Sequence, residues 1–130
     1  GYVSGAAHKV DGWLISPKIK LKKAKQPQMT YDNALKFGNA TDNPKWLSVR
    51  ITTNWTGDVT TSEWPKLPFP EELPPGTDWV FRPSGVFDLS AYNGQTVVIA
   101  FRYDTTIEGT DLTSVPTWEI QNLLIAEPEE

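Results

Sequence analysis

The chain has 130 residues and sets 12 Lys+Arg against 16 Asp+Glu, a formal charge of −4, which suits one domain rather than two. It contains six Trp, eleven Pro and nine Gly, but no Cys, one Met and one His. Zero Cys excludes a disulfide framework, a thiolate metal site and a cysteine nucleophile, and a single His excludes a multi-histidine metal cage.

Taken in chain order, the predicted elements are strands. Trp13-Leu14-Ile15-Ser16 is a short apolar run stopped by Pro17. Ile19 and Leu21 alternate with Lys18, Lys20 and Lys22, a half-buried strand whose solvent face is lysine. Such a face guards a sheet edge, so the basic stretch is read as an edge and no nucleic-acid partner is expected. Met29, Tyr31, Ala34, Leu35 and Phe37 predict a further strand with a break near Asp32-Asn33.

Leu47, Val49 and Ile51 alternate with Ser48, Arg50 and Thr52, the cleanest amphipathic strand of the chain. Val97, Ile99, Phe101 and Tyr103 repeat the pattern, and apolar Val98 and Ala100 between them predict a central strand. Trp118 to Ile125 reads as the last strand, with a bulge at Gln121-Asn122. Turns rich in Asn, Asp, Gly and Pro punctuate these runs, and no window of ten residues keeps a helical apolar period. The expected fold is an all-β antiparallel sandwich over residues 1–130, with 1–11 and 127–130 as flexible ends. No run approaches the roughly 18 apolar residues of a membrane span, so no membrane insertion is expected.

The charge is split along the chain. Residues 1–65 hold nine basic and five acidic side chains, whereas 66–130 hold three and eleven.

Four phrases carry a resemblance. Trp13-Leu14-Ile15-Ser16-Pro17 with Ile19 and Leu21 is the first, and Thr53 to Asp58 followed by Trp64 and Leu67 is the second. The third runs from Trp79-Val80-Phe81 through Ser84-Gly85 and Phe87-Asp88-Leu89-Ser90 to Tyr92 and Gly94. Val98 to Tyr103 and Trp118 to Asn122 close the set. In this order they resemble the cleaved-adhesin and choice-of-anchor domains of Bacteroidetes surface proteins. The resemblance implies a galactose-binding-like jelly roll, non-catalytic adhesion or ligand binding, and a secreted or cell-surface setting, lipid-anchored within a longer parent chain. Two departures bear on the calcium loop of that family. Only twelve residues precede Trp13, short of the earlier strand and its acidic loop, and Gln121 stands where the family has Asp.

Candidate chemistry is sparse. Calcium takes six to eight oxygen ligands, and Asn39, Asp42 and Asn43 supply one donor-rich loop, Asp104 with Asp111 another. The plainer reading is that these side chains hold turns. A glycoside-active enzyme would need two carboxyl groups about 5–9.5 Å apart across a groove, drawn from Asp104, Glu108, Asp111 and Glu119. His8 sits in a Gly/Ala/Ser-rich start and supports no Ser–His–Asp site.

The tryptophans are the more informative set. Indoles in a sandwich are usually core, and Trp13, Trp64, Trp79 and Trp118 occupy framework positions of the resemblance. Trp55, beside Asn54 and Asp58 in a loop, and Trp46, one residue before a strand, are left for a ligand surface. The expected function is therefore a binding or adhesion module for a carbohydrate or a surface protein, with a purely structural module as the alternative.

Overall fold

A computed structural model describes residues 2–4, 11–23, 26–38, 41–107 and 115–127. Ten strands occur among them: β1 (Tyr2–Ser4), β2 (Asp11–Ile15), β3 (Ile19–Lys20), β4 (Gln28–Lys36), β5 (Leu47–Thr52), β6 (Lys66–Leu67), β7 (Arg82–Pro83), β8 (Phe87–Asp88), β9 (Thr96–Asp104) and β10 (Thr117–Ala126). A single helical turn, α1 (Asn43–Trp46), and a 3-10 turn at Ser90–Tyr92 complete the described elements.

The strands form two antiparallel sheets packed face to face. One runs β1-β10-β4-β7 with β8 also on β4; the other runs β2-β9-β5-β6 with β3 also on β9. The fold is an all-β sandwich, as the alternation predicts. Each inner face follows a period of two: Met29, Tyr31 and Leu35 from β4 meet Leu47, Val49 and Ile51 from β5 and Val97, Ile99, Phe101 and Tyr103 from β9. The layers interlock through rings. Phe101 meets Tyr31 edge-on at 4.9 Å between centroids and Trp118 at 5.8 Å. Burial pushes the Tyr31 phenol well above its ordinary value.

The bulge expected at Gln121-Asn122 is present. The β10–β4 register shifts between Gln121 and Leu124, with Asn122 at φ 56°. Its consequence is a change of parity: Trp118 and Ile120 are buried before it, while Ile125 packs on the core after it and Leu124 is left exposed.

Three expectations are corrected. β4 runs unbroken through Asp32-Asn33, because the buried Asn33 amide is hydrogen-bonded through both its nitrogen and its oxygen inside the sandwich. Its Nδ2 donates to the Arg82 carbonyl at 3.0 Å and its Oδ1 accepts the Trp118 indole N–H at 3.0 Å. The earlier strand expected to be missing before Trp13 is present. Tyr2–Ser4 pairs with Thr117–Glu119, so a strand does precede β2, and the Glu127 carboxylate accepts the Lys22 N–H at 2.7 Å. Finally, the lysine-edged segment contributes only a two-residue strand, although Leu21 is buried and Lys18, Lys20 and Lys22 are exposed as the alternation requires.

Asn33→Ala would orphan a buried indole N–H and a carbonyl together. Each unsatisfied group costs about 1–3 kcal/mol, so the urea midpoint should fall with an unchanged slope, measured by equilibrium unfolding.

Candidate functional site

β9 is apolar on both faces. Val98 and Ala100, on the side away from the core, are 1% and 0% exposed. The β5–β6 loop, Thr53–Pro65, folds back across this outer face, where Trp64 meets Trp13 and Trp55 borders a recess shared with Val98. Hydrogen bonds within the loop set its shape. Asn54 Oδ1 accepts the Thr52 hydroxyl at 2.7 Å and the Glu63 N–H at 3.3 Å. Asp58 Oδ1 accepts both the N–H and the hydroxyl of Thr60 at 2.8 Å. These bonds hold the Asp58 carboxyl below its ordinary value. The Trp64 indole N–H donates to the Val59 carbonyl at 3.1 Å, which leaves its ring free to meet other rings.

Those rings are Trp13 and Trp55. Trp64 lies 5.2 Å from Trp13, tilted by 49°, and 5.7 Å from Trp55, edge-on. The Arg102 guanidinium sits 4.7 Å from the centre of the Trp13 ring. The placement follows from register: Trp13 pairs with Arg102 across β2–β9, and Ser48 pairs with Arg102 across β9–β5, so all three project outward.

A recess of about 330 Å³ opens here, lined by Trp13, Trp64, Arg50, Arg102, Asp11 and Thr60 among others. Arg102 is neutralised. Its Nε and Nη2 donate to the two Asp11 oxygens at 2.8 Å each, and Nη2 also lies 3.3 Å from Asp104 Oδ2. The Asp11 hydrogen bond is the first cause of its raised pKa. Arg50 is placed differently. Its Nε donates to the Ser48 hydroxyl at 3.1 Å and Nη1 to the Trp64 carbonyl at 3.3 Å, both uncharged acceptors. Partial burial, then repulsion from Arg102, lowers its pKa, while the more distant Asp11 and Asp104 oppose that shift.

The expected site residues divide. Asn54 and Trp55 line a second shallow recess, about 280 Å³, with Lys18, Thr53, Thr96 and Val98. Asp58 lines neither recess, because its carboxylate is occupied in the loop. Trp46 is 5% exposed and belongs to the core, so it is removed as a ligand residue. Among the framework tryptophans, Trp118 is core as expected, whereas Trp79 is 48% exposed and Trp13 and Trp64 form the outer recess.

Trp13, Trp64, Arg50, Arg102 and Asp11 are the site residues that sequence reasoning missed. Their signal was parity: Trp13 and Arg102 alternate with Leu14 and Phe101, which face the core.

Of the calcium candidates, Asn39 and Asp111 lie outside the described residues, as does Glu108. Asp42 pairs with Lys45 Nζ at 2.9 Å, and Asp104 accepts the Thr106 N–H at 2.9 Å besides its contact with Arg102. Among the described residues no three His, Asp or Glu side chains converge.

A further recess, about 610 Å³, lies between Asn43-Pro44 and the segment from Phe69 to Pro74. Its one aromatic ring, Phe69, packs edge-on against Trp118, and its charges are the carboxylates Glu71 and Glu72. The smaller recess combines flat apolar faces with fixed donors and is the better equipped for recognition.

No protein-family model matches the chain, and no curated protein matches it at significant similarity.

The pH dependence of the loop follows from Asp58. A carboxylate with a depressed folded pKa contributes stability that is full above its ordinary value of 3.8 and is lost as pH falls through the lower folded value. Tryptophan emission from Trp55 and Trp64 should therefore change on acidification below that point. Asp58→Asn keeps the acceptor but removes the titration, so this acid-induced change should diminish.

Proposed function

We propose that this chain is a non-catalytic carbohydrate-binding module of a secreted or cell-surface protein. The observation that carries the reading is the recess where Trp13 and Trp64 meet at 5.2 Å beside two guanidinium groups. A pyranose has one face of C–H groups and a rim of hydroxyls. Indole rings bury the first, while fixed N–H donors and carboxylate acceptors bond the second. Arg50 and Arg102 are the donors here and Asp11 is the acceptor. A volume of about 330 Å³ is at the small end of ligand pockets, which suits a few sugar rings lying across a sheet face.

The arrangement favours binding over glycoside hydrolysis. Asp11 and Asp104 are register partners across β2–β9, and both direct an oxygen at Arg102. An acid and a base working on opposite sides of a sugar would have to stand apart.

A second reading, a structural module packing on a neighbouring domain, draws on a different surface. Phe37, Trp79 and Val80 are 55%, 48% and 56% exposed, and Phe37 meets Trp79 edge-on at 6.2 Å. Exposed apolar patches of this kind mark contact surfaces. The two readings concern separate surfaces and are separable by mutation.

Screening against a glycan array, followed by calorimetry on the hits, tests the proposal. Trp64→Ala and Trp13→Ala should each weaken saccharide binding by about 2 kcal/mol, close to thirtyfold, while Trp79→Ser leaves it unchanged. Binding lost in Trp79→Ser and kept in Trp64→Ala would move the site to the other surface.

A further inference from the structure

The cations on the outer face of the β2-β9-β5-β6 sheet are unequally compensated. Arg102 is bonded by both oxygens of Asp11 and approached by Asp104. Arg50, its diagonal neighbour, has no carboxylate within ion-pair distance among the described residues. Its register partner on β6 is Lys66, a like charge directly across the strand pair, an arrangement that is unfavourable by itself. The acidic side chains of the recess are thus gathered on one guanidinium, and positive charge is left around the other.

Arg50 is also held in place. The Ser48 hydroxyl and the Trp64 carbonyl accept from Nε and Nη1, which orients the planar group without neutralising it. A guanidinium has five N–H donors; with two of them used, one on Nη1 and both on Nη2 have no acceptor among the described residues. A long side chain fixed beside indole rings has already lost part of the rotamer freedom that binding would otherwise cost.

Building on the saccharide-binding reading, we propose that the recess selects carboxylated sugars, with Arg50 receiving the carboxylate while Trp13 and Trp64 hold the ring. A planar carboxylate matches the donor fork of a guanidinium. It also supplies the negative charge that the Arg50–Lys66 pair lacks. Asp11 does not already serve this role, because both of its oxygens are committed to Arg102. A neutral sugar would satisfy the same donors with hydroxyls but leave the charge uncompensated. Although the chain as a whole is acidic, at −4, attraction at this recess acts at short range and is not set by net charge.

The test uses calorimetry on the whole chain with oligogalacturonates, oligomannuronates and glucuronate-containing oligosaccharides, each paired with its carboxyl-reduced counterpart. At least one uronate should bind about tenfold or more tightly than its reduced form, the scale of one hydrogen bond to a charged group, and the difference should shrink as salt is raised. Arg50→Gln should bring the pair within about threefold by removing that term, the uronate losing more affinity than its neutral form, whereas Trp64→Ala weakens both by the same factor. Arg50→Lys, which keeps the charge but loses the fork, should fall between. It also carries the test if the thermal midpoint shows that Arg50→Gln does not fold.

Equal binding of uronate and reduced sugar would overturn the inference and leave the saccharide reading standing. So would a preference that survives in both Arg50 variants. Equally tight binding of a sulfated, uronate-free oligosaccharide would replace carboxylate selection by simple charge attraction and overturn it as well. No binding of any sugar, charged or neutral, would remove both readings.

Discussion

The constraint on which this structure depends is the burial of β9 on both of its faces. Inward, Val97, Ile99, Phe101 and Tyr103 build one half of the core; outward, Val98 and Ala100 have no sheet to pack against. Leaving those side chains in water would forfeit roughly 25 cal/mol for each Å² of apolar surface. The Thr53–Pro65 loop lies across this face, and a web of hydroxyl and Asx hydrogen bonds pairs many of its polar groups there. That path is what brings Trp64 over Trp13. The recess is thus a consequence of how the central strand is buried.

The linear division of charge looks different once the sheets are formed. The basic first half and the acidic second half do not make separate faces, because β9, from the second half, lies between β2 and β5 from the first. Asp11 and Arg102, 91 residues apart, become partners. The pairing of the consecutive strands β5 and β6 places Lys66 across from Arg50. What matters at the recess is therefore local compensation rather than the balance of either half.

The tryptophans show where reading the sequence stopped. Trp118 was legible as core, since it sits in a strand with Ile120 on the same parity. Trp46 was not: it precedes β5 by one residue, and only the helical turn Asn43–Trp46 rotates its ring into the sandwich. Trp79 lies in a segment without alternation, so nothing local distinguished exposure from burial. Asn33 misled in the opposite sense. A polar residue within an apolar run reads as a break, but here the indole N–H of Trp118, 85 residues away, donates to the Asn33 amide oxygen and satisfies it within the core.

Alternation along the chain by itself determined the strand faces, the bulge, the sheet edge at the lysines and the all-β class, because each of these depends on residues within a few positions of one another. It also placed Trp13 and Arg102 on a face opposite to core residues, which was the one local clue to the site. Which side chains meet on that face was decided only by tertiary structure. The 5.2 Å contact of Trp13 with Trp64 and the bidentate Arg102–Asp11 pair join segments far apart in sequence. Such contacts exist only when strand pairing, register and the path of one loop are settled together, and no local period encodes that combination.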